Sequence, residues 1–273
     1  MSLGATERRE LLDIVLPIAR EAATLVLGGY RARPRAETKG EYTNLVTEFD
    51  RRSETLLRER LHERTGLFVV GEEHGSDIGG PVGEEHGSDI GGDLAFYVDP
   101  IDGTTNFVHG HPFYCVSIGL VERGAVPILG AVVAPSLHVE WTGALGVGAF
   151  RNGVDCRVSE VERFENALLA TGFPYDRRLA DANFEAFARI KRRCQAVRRC
   201  GSAALDLCLV ADGTYDGYWE RHLGPWDVAG GAALVRAAGG RVTAFGGGET
   251  SVLSGEIVAS NGAIHGALVA ELA

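Results

Sequence analysis

The chain is poor in the features that would send it outside the ordinary soluble enzymes. Its five cysteines, at 115, 156, 194, 200 and 208, form no C-x-x-C pair. An odd number at irregular spacing predicts reduced, mostly buried thiols rather than a disulfide framework or a zinc site. No stretch reaches the ~18–20 apolar residues of a membrane span. The opening MSLGATERRE is polar, and Asp13 and Pro17 interrupt the apolar residues after it, so no secretory leader is expected. Positive charge is also short: 27 Lys and Arg against 37 Asp and Glu give a net charge of −10, and the pI is about 5.3. That balance argues against a dedicated nucleic-acid surface. The expectation is a cytoplasmic protein with neither a membrane nor a nucleic acid as partner.

What is present is enough for a large core. The 273 residues are 45% hydrophobic and 23% charged, which fits one broad domain or two intimate halves. Residues 7–27 carry a helical apolar stripe ending at Gly28-Gly29, with Pro17 expected to kink or break it. A polar loop with Lys39 follows, then a helix from about Thr47 to Arg64. LFVV (67–70) and LAFYV (94–98) read as strands. Tyr114 to Thr142 reads as antiparallel strands with a turn at Arg123-Gly124. After about residue 155, short strands alternate with helices, the pattern of a sheet covered by helices. This sets an N-terminal half at 1–154 and a C-terminal half at 155–273, with no flexible linker between them.

Ten residues, GEEHGSDIGG, occur twice without change, at Gly71–Gly80 and Gly83–Gly92. The unit is a single tandem duplication rather than a solenoid array. Its Gly and Ser content marks loop. Removing one copy would leave a net charge of about −7, so the acidity is partly local.

The strongest chemical signal is DPIDGTTNF, Asp99–Phe107. A strand is expected to end at Val98. Two aspartates three apart then follow on a turn stiffened by Pro100, and such a pair can share hard cations that take oxygen ligands. Gly103 permits close backbone approach, and Thr104-Thr105 could open a helix whose free N–H groups meet an anion. Asp50 could simply cap the helix that Thr47 begins, and Glu220, among Tyr218, Trp219 and Arg221, could be a surface ion-pair partner. His74 and His86, one per repeat, are expected to be solvated loop residues.

These motifs resemble the inositol monophosphatase family of Mg²⁺-dependent, lithium-sensitive phosphatases. DPIDGTTNF is similar to that family's first metal motif and PWDVAGG (225–231) to its second. GEE and Lys39 followed by NLVTEFD (44–50) resemble two further elements in the family's order. The resemblance implies a mixed α/β fold, the layered αβαβα sandwich shared with fructose-1,6-bisphosphatase. It implies two Mg²⁺ ions with Asp99 between them, one held also by the Glu of GEE and the Ile101 carbonyl, the other by Asp102 and Asp227. A third, weaker ion would sit near the Glu. Gly103 and Thr104 would offer N–H groups to phosphate, Lys39 would steer it, and Gly201, Ser202, Ala203 and Glu220 would hold the substrate alcohol, with Asp102 and Asp227 bordering it. Thr104, polarised by Asp50, and the GEE glutamate would orient and deprotonate a water. The implied reaction is hydrolysis of a small phosphorylated polyol or sugar, inositol monophosphate first, by a homodimer. Fructose-1,6-bisphosphate, 3′-phosphoadenosine-5′-phosphate and histidinol phosphate are the family's other substrates. A catalytically impaired relative acting as a binding or regulatory partner is the alternative outside enzymology.

The repeat leaves two candidates for the GEE ligand. Glu84 precedes Asp99 by 15 residues, the compact spacing, and Glu72 by 27. The strand-forming LFVV, however, leads into Glu72, whereas Glu84 follows GGPV, a poor central strand. Doubling a loop adds only ~0.6 kcal/mol of closure entropy, so context selects Glu72, with Glu84 and Glu85 in an acidic insertion over the site.

Overall fold

The computed structural model describes residues 3–39, 44–73, 94–174 and 181–272. Helix α1, Ala5–Leu27, runs through Pro17 without a break. The reason is position: Pro17 and Asp13, whose carbonyl loses its acceptance from the missing N–H, both lie on the exposed face. Strands β1 (Ala36–Thr38) and β2 (Leu45–Thr47) pair antiparallel, so the stretch before Lys39 expected as loop begins as a short ribbon. Helix α2, Glu48–Thr65, follows at once, capped by the Thr47 side chain and ended by Gly66 at φ 70°.

A seven-stranded sheet carries β3 (Phe68–Gly71), β4 (Leu94–Asp102), β5 (Cys115–Glu122), β6 (Val126–Ala134), β7 (Val139–Ala144), β8 (Gly148–Arg151) and β9 (Val154–Cys156) in sequence order. Only β3 and β4 are parallel, with Gly71 opposite Val98; the other pairs are antiparallel. Between β4 and β5 the six-residue helix α3, Thr104–His109, follows N-cap Gly103 at φ 93°. The strand expected to end at Val98 continues through DPID. Its ladder with β5 shifts register between Asp99 and Asp102, a bulge that absorbs Pro100 and re-aims both carboxylates.

The second sheet has five strands in the order β11 (Ala196–Arg198), β10 (Leu168–Thr171), β12 (Gly217–Arg221), β14 (Glu256–Ser260), β13 (Arg241–Thr243). Helices α4 (Asp181–Lys191), α5 (Ala203–Ala211), α6 (Pro225–Ala237) and α7 (His265–Leu272) complete the chain. Helices α1 and α2 cover the outer face of the seven-stranded sheet through Val15, Leu57, Phe96 and Ile118. Helices α5 and α6 lie between the two sheets, burying Leu205, Leu207, Leu234 and Val235. Helices α4 and α7 cover the far face of the second sheet, with Ile190 and Leu268 against Trp219 and Val258. The result is the expected αβαβα layering.

Helix α6 can approach its sheet because glycines meet there. A Cβ on Gly119 would stand 2.5 Å from Ala229, and one on Gly130 would overlap the Gly230 carbonyl oxygen. Overpacking of this kind costs about 1–3 kcal/mol. Gly130→Ala is therefore expected to lower stability by that amount in urea unfolding. Gly246→Ala, whose Cβ would meet nothing within 4 Å, should stay within about 0.5 kcal/mol of the wild type; equal values for the two would refute the close-approach account.

Candidate active site

The site is a cavity of about 550 Å³ at the ends of β3 and β4 and the N-termini of α3, α5 and α6. Its lining includes Glu72, Asp99, Asp102, Thr104, Glu220 and Asp227. One carboxylate oxygen from each of Asp99, Asp102 and Asp227 lies within 4.8 Å of the other two. Asp99 and Asp102 are buried and Asp227 is half-buried. Each is held by a neutral donor. Asp99 Oδ1 accepts the Ile101 N–H at 3.0 Å. Asp102 Oδ2 accepts the Ser202 hydroxyl at 2.7 Å and the Ala204 N–H at 2.6 Å, both from the opening of α5. Asp227 Oδ2, at the third position of α6, accepts the Gly224 N–H at 2.6 Å.

Asp50 makes both of the contacts open to it. Its Oδ2 accepts the Thr47 N–H at 2.7 Å, closing the cap of α2, and its Oδ1 accepts the Thr104 hydroxyl at 3.0 Å. The Thr104 hydroxyl also lies 2.9 Å from the Ile101 carbonyl. Its proton points to these acceptors, which leaves lone-pair density on Oγ1 for another donor. Gly103 and Gly201, at φ 93° and 88°, bring their backbones together: a Cβ on Gly103 would stand 3.1 Å from the Gly201 carbonyl oxygen. Asn106 ties the same two turns, donating to the Phe113 carbonyl at 2.7 Å and the Cys200 carbonyl at 2.8 Å. The first intrahelical bond of α3 runs from Phe107 to Gly103, so the preceding N–H groups have no helical acceptor.

Glu72 lies one residue beyond β3, outside the closest carboxylate group but on the same cavity. Lys39 reaches its Oε1 at 3.0 Å and pairs also with Glu73. Lys39 is thus occupied by the two glutamates and is not among the residues lining the cavity. Glu84, Glu85, His74 and His86 lie outside the described residues. Glu220 is buried rather than on the surface: Gly172 leaves room for its carboxylate, and the Tyr218 hydroxyl donates to it.

Several contributors escape sequence reasoning because long-range packing creates them. Buried Glu54, paired with Arg58 at 3.2 Å, accepts the Glu73 N–H at 2.6 Å and fills the space a Gly71 side chain would take. Ser53 donates to the Pro100 carbonyl at 3.2 Å. Ser202 was legible as a holder of substrate alcohol, but here its hydroxyl is engaged with Asp102.

Burial and like charge raise the acids of the site. Asp99 and Asp227 are held well above the usual carboxylate range by burial and then by Glu72, with Asp102 adding to it. Burial lifts Asp102 to about 6 against the Ser202 and Ala204 bonds. It lifts Glu73 and Glu220 to about 7, against Lys39 and Tyr218 respectively. None of the ion pairs among the described residues engages Asp99, Asp102 or Asp227. Three crowded carboxylates with no ion-pair partner among the described residues form an all-oxygen donor set suited to a hard divalent cation.

Fold and site together define a layered α/β protein with an acidic, cation-accepting cavity beside a Thr–Asp hydroxyl pair. The model of the inositol monophosphatase family matches residues 7–273. The inositol-1-monophosphatase of Synechocystis sp. is 38% identical over 87% of this chain and 79% of its own. The Nus factor SuhB of Pasteurella multocida is 36% identical over 92% and 91%. The solved inositol monophosphatase from Anabaena (Nostoc) sp. superposes with a TM-score of 0.83 at 36% identity, covering 97% of this chain and 95% of that one. The chain belongs to the inositol monophosphatase family and is a phosphoric monoester hydrolase of that Mg²⁺-dependent type.

The raised acids give a pH signature. An acid whose folded value is raised binds more protons in the native than in the unfolded state, so its stabilising contribution is complete below the unfolded value and fades as pH rises through the folded one. His265, lowered to about 4 by burial, acts only below its unfolded value of about 6.5. The melting temperature of metal-stripped protein should therefore fall between pH 6.5 and 8, as Glu73 and Glu220 ionise. Added Mg²⁺ should raise it more at pH 8 than at pH 6.5, since a cation competes with protons for these oxygens. A flat profile, or an Mg²⁺ shift equal at both values, would contradict the charge account.

Proposed function

We propose that the protein hydrolyses the phosphate monoester of a small polyol, with inositol monophosphate as the favoured substrate. The observation that carries this reading is the clustering of Asp99, Asp102 and Asp227 beside Thr104–Asp50 on one cavity. Asp99, Glu72 and the Ile101 carbonyl would hold one Mg²⁺ and Asp99, Asp102 and Asp227 a second, with room for a weaker third near Glu72. Bound there, Mg²⁺ neutralises the phosphate dianion and acidifies water, which suits a reaction whose uncatalysed rate is among the slowest known.

The chain's own groups do the positioning. Thr104 Oγ1, its proton committed to Asp50 or the Ile101 carbonyl, accepts from a water and orients it in line with phosphorus. Glu72 takes the proton of that water, because its carboxylate lines the same cavity and is held by Lys39 rather than by neutral donors. The open N–H groups of Gly103 and Thr104 bind phosphate oxygens. Lys39 supports this from behind, by keeping Glu72 and Glu73 aligned. Gly201, Ser202 and Ala203 border the leaving group, and Glu220 accepts from one of its hydroxyls.

A homodimer, a cytoplasmic location and inhibition by lithium complete the reading. No helix of the described residues is long and apolar enough to cross a membrane. The relatives named Nus factor SuhB favour a second reading, a binding or regulatory role. Phosphate release from inositol 1-phosphate, fructose 1,6-bisphosphate, 3′-phosphoadenosine 5′-phosphate and histidinol phosphate, with and without Mg²⁺, separates the two. Mg²⁺-dependent turnover highest on inositol 1-phosphate is expected; no turnover on any of the four favours the second reading. Glu72→Gln and Asp50→Asn should each lower kcat by about 10²–10⁴-fold, the usual worth of a positioned acid–base group. Glu84→Gln should leave kcat near the wild type, and loss of activity in that variant alone would move the ligand to the second copy of the repeat.

A further inference from the structure

Asp206 lies in the first turn of α5 and is 1% exposed, and its Oδ1 has no hydrogen-bond partner. It lines the same cavity as Glu220. A buried polar atom left unpaired is expensive, and natural proteins keep few of them without a use. The neighbouring acids are all engaged: Asp102 by Ser202 and Ala204, Asp227 by Gly224, Glu220 by Tyr218. Asp206 is therefore the acid of this wall with a buried carboxylate oxygen that no protein donor meets.

We propose that Asp206 is a specificity-determining residue, a second hydroxyl-binding carboxyl which, with Glu220, reads two hydroxyls of the leaving alcohol. This rests on the phosphatase reading above. Three features fix the geometry. Gly172 has no side chain where the Glu220 carboxylate lies, so that carboxylate has room, and Glu220 and Asp206 line one cavity. Helix α5 is rigidly placed, since its opening turn holds Asp102 and its Leu205 and Leu207 are buried in the core. Arg199 bends over Gly201, with Nη1 2.6 Å from where a Cβ would be, and brings positive charge to a wall otherwise lined by acids. A wall of two carboxyls and one guanidinium fits a polyhydroxylated alcohol, whose hydroxyls both donate and accept. It fits an apolar or singly hydroxylated alcohol poorly, because the acceptors would then be covered without a donor.

The test compares kcat/KM on inositol 1-phosphate with kcat/KM on cyclohexyl phosphate, the same ring without hydroxyls, in the full chain with Mg²⁺. In Asp206→Ala the ratio of the two is expected to fall roughly tenfold, the scale of one lost hydrogen bond to a charged group. Asp206→Asn, which keeps one acceptor oxygen, should fall less; it also serves as the test if the alanine variant fails to fold. An acid that merely favours the N-terminus of α5 would lower both substrates alike, so a ratio within about twofold of wild type overturns the inference. Wild-type enzyme active on cyclohexyl phosphate but not on inositol 1-phosphate, or on neither, would instead overturn the reading on which the inference rests.

Discussion

The repulsion among carboxylates gathered in one cavity is the constraint that the rest of the structure serves. Asp99, Asp102 and Asp227 each place an oxygen within 4.8 Å of the others, with Asp50 and Glu72 close by. No packing arrangement makes such a cluster favourable by itself. The chain offsets it by aiming helix N-termini at it. Asp50 and Asp227 each occupy the third position of a helix, α2 and α6, and Asp102 accepts from the opening turn of α5. Each such terminus contributes about 0.3–1 kcal/mol toward a negative charge, and up to ~2 when partly buried. That is too little to keep all the acids ionised, which is why their proton affinities stay high and why a divalent cation is the natural completion of the site.

The layering is what lets acids from distant parts of the chain meet. Asp99 belongs to β4 of the seven-stranded sheet and Asp227 to α6 in the middle layer, so their separation is set by how closely α6 lies on that sheet. The contact of Gly119 and Gly130 with Ala229 and Gly230 sets it. The Gly-rich continuation of PWDVAGG is thus a packing device for the metal motif as much as a helix sequence. In the same way, Gly172 places Glu220 and Gly103 lets the turn of α3 meet that of α5.

Local patterns were legible where their period or their turn residues were intact. The antiparallel run from Tyr114 onward, the helices with clear apolar stripes and the DPIDGTTNF and PWDVAGG segments all lie where the sequence suggests. The three-residue strands β1, β11 and β13 were not legible, because so short a run has no period and exists only through its partners. The bulge that carries β4 through Asp99-Pro100 was misread as a strand end, since Pro ordinarily stops a ladder. Here Pro100 falls where the register shifts and no ladder bond is needed. Glu54, Asn106 and Asp206 carry no local signal. Their importance comes from what the fold brings to them: the Glu73 N–H, the Cys200 carbonyl and an open wall of the cavity.

The duplicated GEEHGSDIGG shows how strand register bears on a choice that spacing leaves open. Counting residues back from Asp99 favours the second copy, because it assumes that the intervening chain is taut. The parallel pairing of β3 and β4 does not depend on that length. Gly71 stands opposite Val98, so the residue after Gly71 emerges beside Asp99 whatever number of residues the connection contains. Glu54 then fixes the following N–H, and Lys39 holds the Glu72 carboxylate from the other side. The second copy has no equivalent of LFVV to deliver it to β4. Placing Glu84 there would require GGPV to form the β3 ladder, with Pro81 unable to donate and two glycines weakening the strand. A carboxylate ligand is defined by the element that aims it; among the described residues Glu72 follows such an element, and on that ground it is the copy we propose as ligand.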